Sequence, residues 1–190
     1  VRSRWQAVGS APNHFRTNPS VFKTPMGDIP TLTKRRLQAA VIKPIYEEMA
    51  AELGDEKAQS ILGNAIRKAA IEEASEFAGK APGGTTSLRS FIDLFELWTA
   101  GGALEIEVHE ESEARFSFDV TRCQYAETYR EMGMGQIGHL LSCNRDASFC
   151  EGYDPNIKLD RQQTIMNGAD RCTFRYRYEN PSASKSSNQD

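Results

Sequence analysis

The chain has 190 residues, 39% of them hydrophobic and 26% charged, with a net charge of −3. That is the balance of an ordinary soluble domain long enough to close a core without staples. So small a charge demands neither nucleic acid nor an anionic membrane as partner, and no apolar run approaches the roughly 20 residues of a transmembrane helix.

Residues 1–30 carry Pro12, Pro19, Pro25 and Pro30 without any period. They are expected to form an extended arm whose Trp5, Phe15 and Phe22 lie on the domain or on a partner subunit. From Thr31 the spacing turns helical, with Leu37, Ala40, Val41, Ile45, Met49 and Leu53 as an apolar stripe ending at Gly54. Pro44 inside it predicts a kink or an early break. Asp55 caps a second helix with a stripe from Ala58 to Phe77, closed by Pro82-Gly83-Gly84. A third follows, carrying Leu88, Phe91, Ile92, Phe95 and Trp98 up to Gly101-Gly102.

After Gly102 the period becomes two. Leu104, Ile106 and Val108 form one apolar face and Phe116, Phe118 and Val120 another. Pairing these faces sets Val108 opposite Phe116, Ile106 opposite Phe118 and Leu104 opposite Val120. On the other side of that hairpin Glu105 meets Asp119 and His109 meets Arg115. A helix over about 122–132 comes next, then the segment Gly135–Asp146. Read as a helix, that segment puts Ile137, Leu140 and Leu141 on one side and His139, Cys143 and Asp146 on the other. The chain closes with a second hairpin, roughly 157–165 and 171–178 about a turn at Asn167-Gly168-Ala169-Asp170, and with a Ser- and Lys-containing tail over 181–190 expected to be disordered.

The fold expected is therefore α+β: one domain over 31–180, its two hairpins in a single antiparallel sheet, with the N-terminal helices packed mainly on one face. The four cysteines, Cys123, Cys143, Cys150 and Cys172, contain no C-x-x-C pair, so reduced thiols in a cytoplasmic protein are expected rather than disulfides or structural zinc. A metal held by Cys123, Cys143, Cys172 and His139 is a third-ranked reading. The aromatic arm and the arginine-rich last strand point to a homo-oligomer.

Chemistry concentrates in 122–179. His139, Cys143 and Asp146 would set a thiol beside two proton carriers, which thiol chemistry requires because the thiolate is the reactive form. Arg175 and Arg177, neighbours on a strand, can fork onto a carboxylate.

These residues also form a pattern. Cys123 with Gly133, then Leu141-Ser-Cys143-Asn-Arg-Asp146, then Arg161-x-x-Thr164-Ile-Met-x-Gly168-Ala-x-x-Cys172-x-Phe174-Arg175 resembles the L-2-amino-thiazoline-4-carboxylic acid hydrolases. The ending Gly168-Ala-Asp-Arg-Cys172-Thr-Phe174 is similar, more weakly, to the 4-vinyl reductase-like small-molecule-binding domains. The first resemblance implies a hydrolase that opens a small nitrogen-containing ring bearing a carboxylate, without a cofactor. Cys143 would attack the amidine carbon, or orient a water that Asp146 or Glu127 deprotonates; Glu127 or His139 would donate a proton. Arg175, with Arg177 or Arg145, would hold the substrate carboxylate, and Cys123 and Cys172 would border it. The second resemblance implies the alternative, a module that binds a small molecule without transforming it.

Overall fold

A computed structural model describes residues 29–179, so the expectations for the arm and the tail concern residues outside the described region. Two long helices come first, α1 (Thr31–Leu53) and α2 (Asp55–Ala78). The short helices α3 (Leu88–Ile92) and α4 (Glu96–Thr99) follow. Strands β1 (Leu104–Glu111) and β2 (Arg115–Cys123) lead into helices α5 (Gln124–Glu131), α6 (Gly138–Leu141) and α7 (Cys143–Tyr153), and β3 (Ile157–Asp160) and β4 (Cys172–Tyr178) close the chain. The strands make one antiparallel sheet in the order β1-β2-β4-β3. The α+β architecture read from the periodicities is the one observed.

One face of the sheet builds the core. Phe116, Phe118 and Val120 of β2 and Cys172, Phe174 and Tyr176 of β4 point inward at every second position. They join Phe91, Ile92, Phe149 and Tyr153 in one apolar cluster. Phe118 stacks on Phe174 across the strands with centroids 4.9 Å apart. A second cluster gathers Ala39, Leu62, Tyr125, Ala126, Tyr129, Met134, Ile137 and Leu141, with Leu104, Cys123 and Ile165 shared along its border with the first.

Several local expectations need correction. The α1 helix runs on through Pro44 to Leu53. Its fully buried residues are Arg35 and Ala39, with Leu32, Ile42, Tyr46 and Met49 packed beside them, so of the expected stripe Met49 faces the core whereas Leu37, Val41, Ile45 and Leu53 are each more than half exposed. The third helix is two short helices joined by a 3-10 turn over Asp93–Phe95. The first hairpin pairs Val108 with Phe118 and Ile106 with Val120, two residues away from the expected register, and Glu105 with Arg122. The strands run up to a tight turn, Glu111 pairing with Phe116, and a bulge between Val108 and Glu110 then leaves His109 out of the pairing and changes the register by one residue, with a second irregularity at Glu105/Ile106. In the second hairpin only Ile157–Asp160 is strand before the chain leaves for a 3-10 turn at Ile165–Asn167. Gly168 ends that turn at φ 95°, a left-handed conformation in which a side chain is strained.

The helices α2 and α7 approach each other closely. Ala70 and Ala74 are fully buried, and a Cβ at Gly152 would lie 2.2 Å from the Ile71 carbonyl oxygen and 2.9 Å from the Ala74 Cβ. Backbone cannot yield there as a flexible side chain would. Gly152→Ala is therefore expected to lower stability by about 2–3 kcal/mol by forcing the two helices apart. Urea denaturation followed by circular dichroism checks this, and an unchanged midpoint would show that the pair has room to part.

Candidate active site

Between the sheet and the helices, where the two apolar clusters meet, lies a partly enclosed cavity of about 80 Å³, several times what one water needs. Aromatic side chains make its apolar wall: Phe91, Phe95, Trp98, Phe118, Phe149 and Phe174. Its polar edge is formed by Arg35, Arg145, Asp146 and Arg161, with the thiols of Cys123, Cys143 and Cys172 beside them.

The backbone explains how these side chains meet. Cys123 is the last residue of β2 and Cys172 the first of β4, and Val120 pairs with Cys172 across the ladder, so both thiols stand at the same end of the sheet. The Gly135–Asp146 segment is not one helix. Ser142, at φ −121° and ψ −66°, separates α6 from α7. Cys143 thus opens α7, and Asp146 follows one turn later on the cavity side. His139 is left on α6, outside the cavity lining. Arg161 arrives from the connection after β3. It pairs with the Asp146 carboxylate, donates to the Cys143 carbonyl at 2.9 Å and lies over the Phe174 ring at 5.1 Å.

The remaining predicted residues stand elsewhere. Arg175 points to the opposite face of the sheet, where it pairs with Asp119 at 2.8 Å and donates to the Phe118 carbonyl at 2.7 Å. Arg177 is exposed and pairs with Glu179. Glu127 is engaged by Arg122 at 2.9 Å on the surface. Of the expected arginines only Arg145 reaches the cavity. Two cavity arginines had no role assigned from sequence: Arg161, present in the motif, and Arg35. Arg35 was legible only as an inward position one turn before Ala39, once that face of α1 is known to be the packed one.

Charge is the distinctive feature. The Arg35, Arg145 and Arg161 side chains are only 7%, 11% and 15% exposed. Glu73 of α2 pairs with both Arg35, at 2.9 Å, and Arg145, while Arg161 has Asp146. Three guanidiniums against two carboxylates leave one positive charge over among the cavity arginines and their direct partners. Burial and the neighbouring Arg35 charge push Arg145 down from its ordinary value. Glu73 is held down, burial being outweighed by its two arginines. Burial pushes Asp146 up, against the pull of Arg161. It also pushes the Cys143 thiol up to about 12, with the Asp146 charge adding to it, and the Cys123 thiol up to about 11.

All four cysteines are free thiols. Among the described residues no three of His, Cys, Asp and Glu stand together as metal ligands, so the structure does not gather the set of three cysteines and His139. No helix among these residues is long and apolar enough to cross a membrane.

An α+β domain with an arginine-edged, aromatic-walled cavity is thus the class that fold and site define. Residues 34–176 match the family of L-2-amino-thiazoline-4-carboxylic acid hydrolases, and every residue lining the cavity lies within that span. The chain belongs to this family. No curated protein matches it. Among solved structures, the phenol-responsive sensory domain of the transcription activator PoxR with phenol aligns at 14% identity and a TM-score of 0.49, covering 80% of this chain and 82% of that one. Trafficking protein particle complex subunit 3 from Naegleria fowleri, covalently bound to palmitic acid, aligns at 16% identity and a TM-score of 0.44, covering 78% and 96%.

With the Cys143 thiol near 12, its thiolate fraction at pH 8 is about 10⁻⁴. Cys143 in the native protein is therefore expected to alkylate slowly with iodoacetamide at pH 8 and to speed up with each pH unit well past pH 9. Peptide mass mapping reads the site, and rapid labelling at pH 7 would mean an ionised thiol.

Proposed function

We propose that this protein is a hydrolase that opens a small nitrogen heterocycle bearing a carboxylate, of the 2-aminothiazoline-4-carboxylate type, inside the cavity. The observation that carries this reading is the unmatched positive charge among the cavity arginines beside an aromatic wall. A small carboxylate would supply the missing negative charge, and the flat ring would lie against Phe and Trp faces. Charge-assisted pairs to buried arginine are the strongest available for that purpose.

In this reading Asp146 is the base. Burial raises its pKa, so its carboxylate form is a stronger proton acceptor than an ordinary one. It takes a proton from water as the oxygen bonds to C2, the carbon carrying two nitrogens and the ring sulfur. The ring nitrogen takes up one proton, C2–S breaks with its electron pair leaving on sulfur, and the second water proton passes through Asp146 to that sulfur. The product is an N-carbamoyl cysteine, and no oxidant or reductant enters. Arg161 holds Asp146 in place, and Arg35 and Arg145 are the carboxylate partners. Cys143 serves as a neutral wall residue that helps to seat the water. Arg175, Arg177, Glu127 and His139 have no part in it.

One observation favours a second reading, a binding module without turnover: all three cavity thiols are pushed toward the neutral form, and most of the lining is apolar.

The test is incubation with 2-aminothiazoline-4-carboxylate, following the new free thiol and the N-carbamoyl cysteine by mass spectrometry. Asp146→Asn is expected to lower kcat by about 10²–10⁴-fold. Cys143→Ser should keep most of the turnover. The acid limb of kcat/KM should fall above the ordinary aspartate value of 3.8, because activity is lost as pH drops through a raised carboxyl pKa. Tight binding of the substrate with no product would favour the binding module, and loss of turnover in Cys143→Ser with Asp146→Asn active would restore the thiol as nucleophile.

A further inference from the structure

On its helical side the cavity comes close to a second depression, and the side chains that line both are charged. This depression, an open groove between α1 and α2, is lined by Leu37, Val41, Ile66, Ala69, Glu72 and Glu76, among others. Only two residues line both the groove and the cavity, Arg35 and Arg145. Glu73 lines the groove and holds both of them. The partition at this point is therefore two buried guanidiniums bridged by one carboxylate.

We propose that Arg35, Arg145 and Glu73 form an anion-exchange gate through which the carboxylate ligand enters the cavity. The incoming carboxylate replaces Glu73 between the two arginines, Glu73 swings to the solvated groove, and the guanidiniums carry the ligand inward. This rests on the reading of the cavity as a carboxylate site.

The geometry fits exchange better than a fixed structural bridge. The two arginine side chains are almost fully enclosed, whereas the Glu73 side chain is about a third exposed on the groove side. Glu73 can therefore leave for water without a buried charge being stranded, provided another anion takes its place. Among the described residues the Arg145 side chain hydrogen-bonds to Glu73 alone, and Arg35 has only Gln38 in addition, at 3.0 Å. No backbone segment has to move. The exposed Glu72 and Glu76 on the same groove repel further negative charge, so the gate passes a monoanion or a zwitterion rather than a polyanion.

The test needs no identified substrate. Iodoacetate and the neutral iodoacetamide are used at pH 9.5 as matched anionic and neutral probes of the cavity thiol Cys143. Each labelling rate is normalised to the same cysteine in unfolded protein, and circular dichroism serves as the folding control. Glu73→Gln, which frees both arginines while keeping the side-chain shape, is expected to raise the iodoacetate-to-iodoacetamide ratio at Cys143 by about fivefold or more. Arg145→Gln should lower it. Ala69→Phe, an exposed residue of the groove wall, should slow both reagents alike. If Glu73→Gln leaves the ratio unchanged, there is no gate. Unchanged rates in Ala69→Phe would mean that the groove is not the route, and either result overturns the proposal. Should Glu73→Gln fail to fold, Arg145→Gln and Ala69→Phe still decide it. Labelling is read without turnover, so a chain that shows the gate but hydrolyses nothing would overturn the hydrolase reading and leave this one standing.

Discussion

The arrangement on which the rest of this structure depends is the placing of three arginines where two apolar clusters meet. Arg35, Arg145 and Arg161 come from α1, α7 and the connection after β3, so their positions tie the helical layer to the sheet end. Taking a guanidinium out of water costs several kcal/mol unless it is paired and bonded. Each of the three is therefore fixed to a carboxylate, and the two carboxylates fix further elements: Glu73 brings in α2, and Asp146 sets the orientation of α7. The close approach of α2 and α7 through Ala70, Ala74 and Gly152 keeps Glu73 within reach of Arg145. Packing and electrostatics depend on each other here, because without small residues in that interface the pairs would not meet.

The fold class was legible because it rests on local signals. Alternation over 104–108 and 116–120 gave strands, and the glycines and prolines marked where helices end. What escaped was non-local. Neither the closing point of the first hairpin, where Glu111 pairs with Phe116, nor the bulge that excludes His109 leaves a mark on hydrophobic alternation, yet together they set the register. The face of α1 was misjudged for a related reason. Its packed side runs through Leu32, Arg35, Ala39, Ile42, Tyr46 and Met49, where a buried charge and a small residue interrupt the apolar spacing, while Leu37, Val41 and Ile45 form a second stripe that faces outward. A buried arginine is inexpensive only where a partner exists, and its partner Glu73 lies on another helix.

The candidate site shows the same division. Cys143 and Asp146 were picked out as sharing a helical face, and both do line the cavity, but by a different route. The helix breaks at Ser142, which removes His139 from the group and lets Cys143 begin a new helix. Arg175 drew attention as one of two arginines on a strand. That same alternation sends it to the outer face with Asp119, because Phe174 and Tyr176 occupy the inward positions on either side. Arg161 belongs to an irregular stretch with no period to read, so only the spacing of the motif could mark it.

The neutral thiols and the surplus arginine charge have one origin. A site of low polarity raises the cost of any isolated charge, so it favours a cysteine that keeps its proton, and it makes a matched pair with an anion stronger than in water. These two effects bear on the chemistry together. Were Cys143 ionised at rest, its thiolate would itself supply the negative charge that the cavity arginines lack, and a ligand carboxylate would have to compete with it for that surplus positive charge. A protonated Cys143 leaves that positive charge for the ligand. For the hydrolysis proposed above, nucleophilic attack by a resting thiolate and capture of a carboxylate would therefore draw on the same positive charge, and a protonated thiol favours capture, which is why the proposal gives the proton transfers to Asp146.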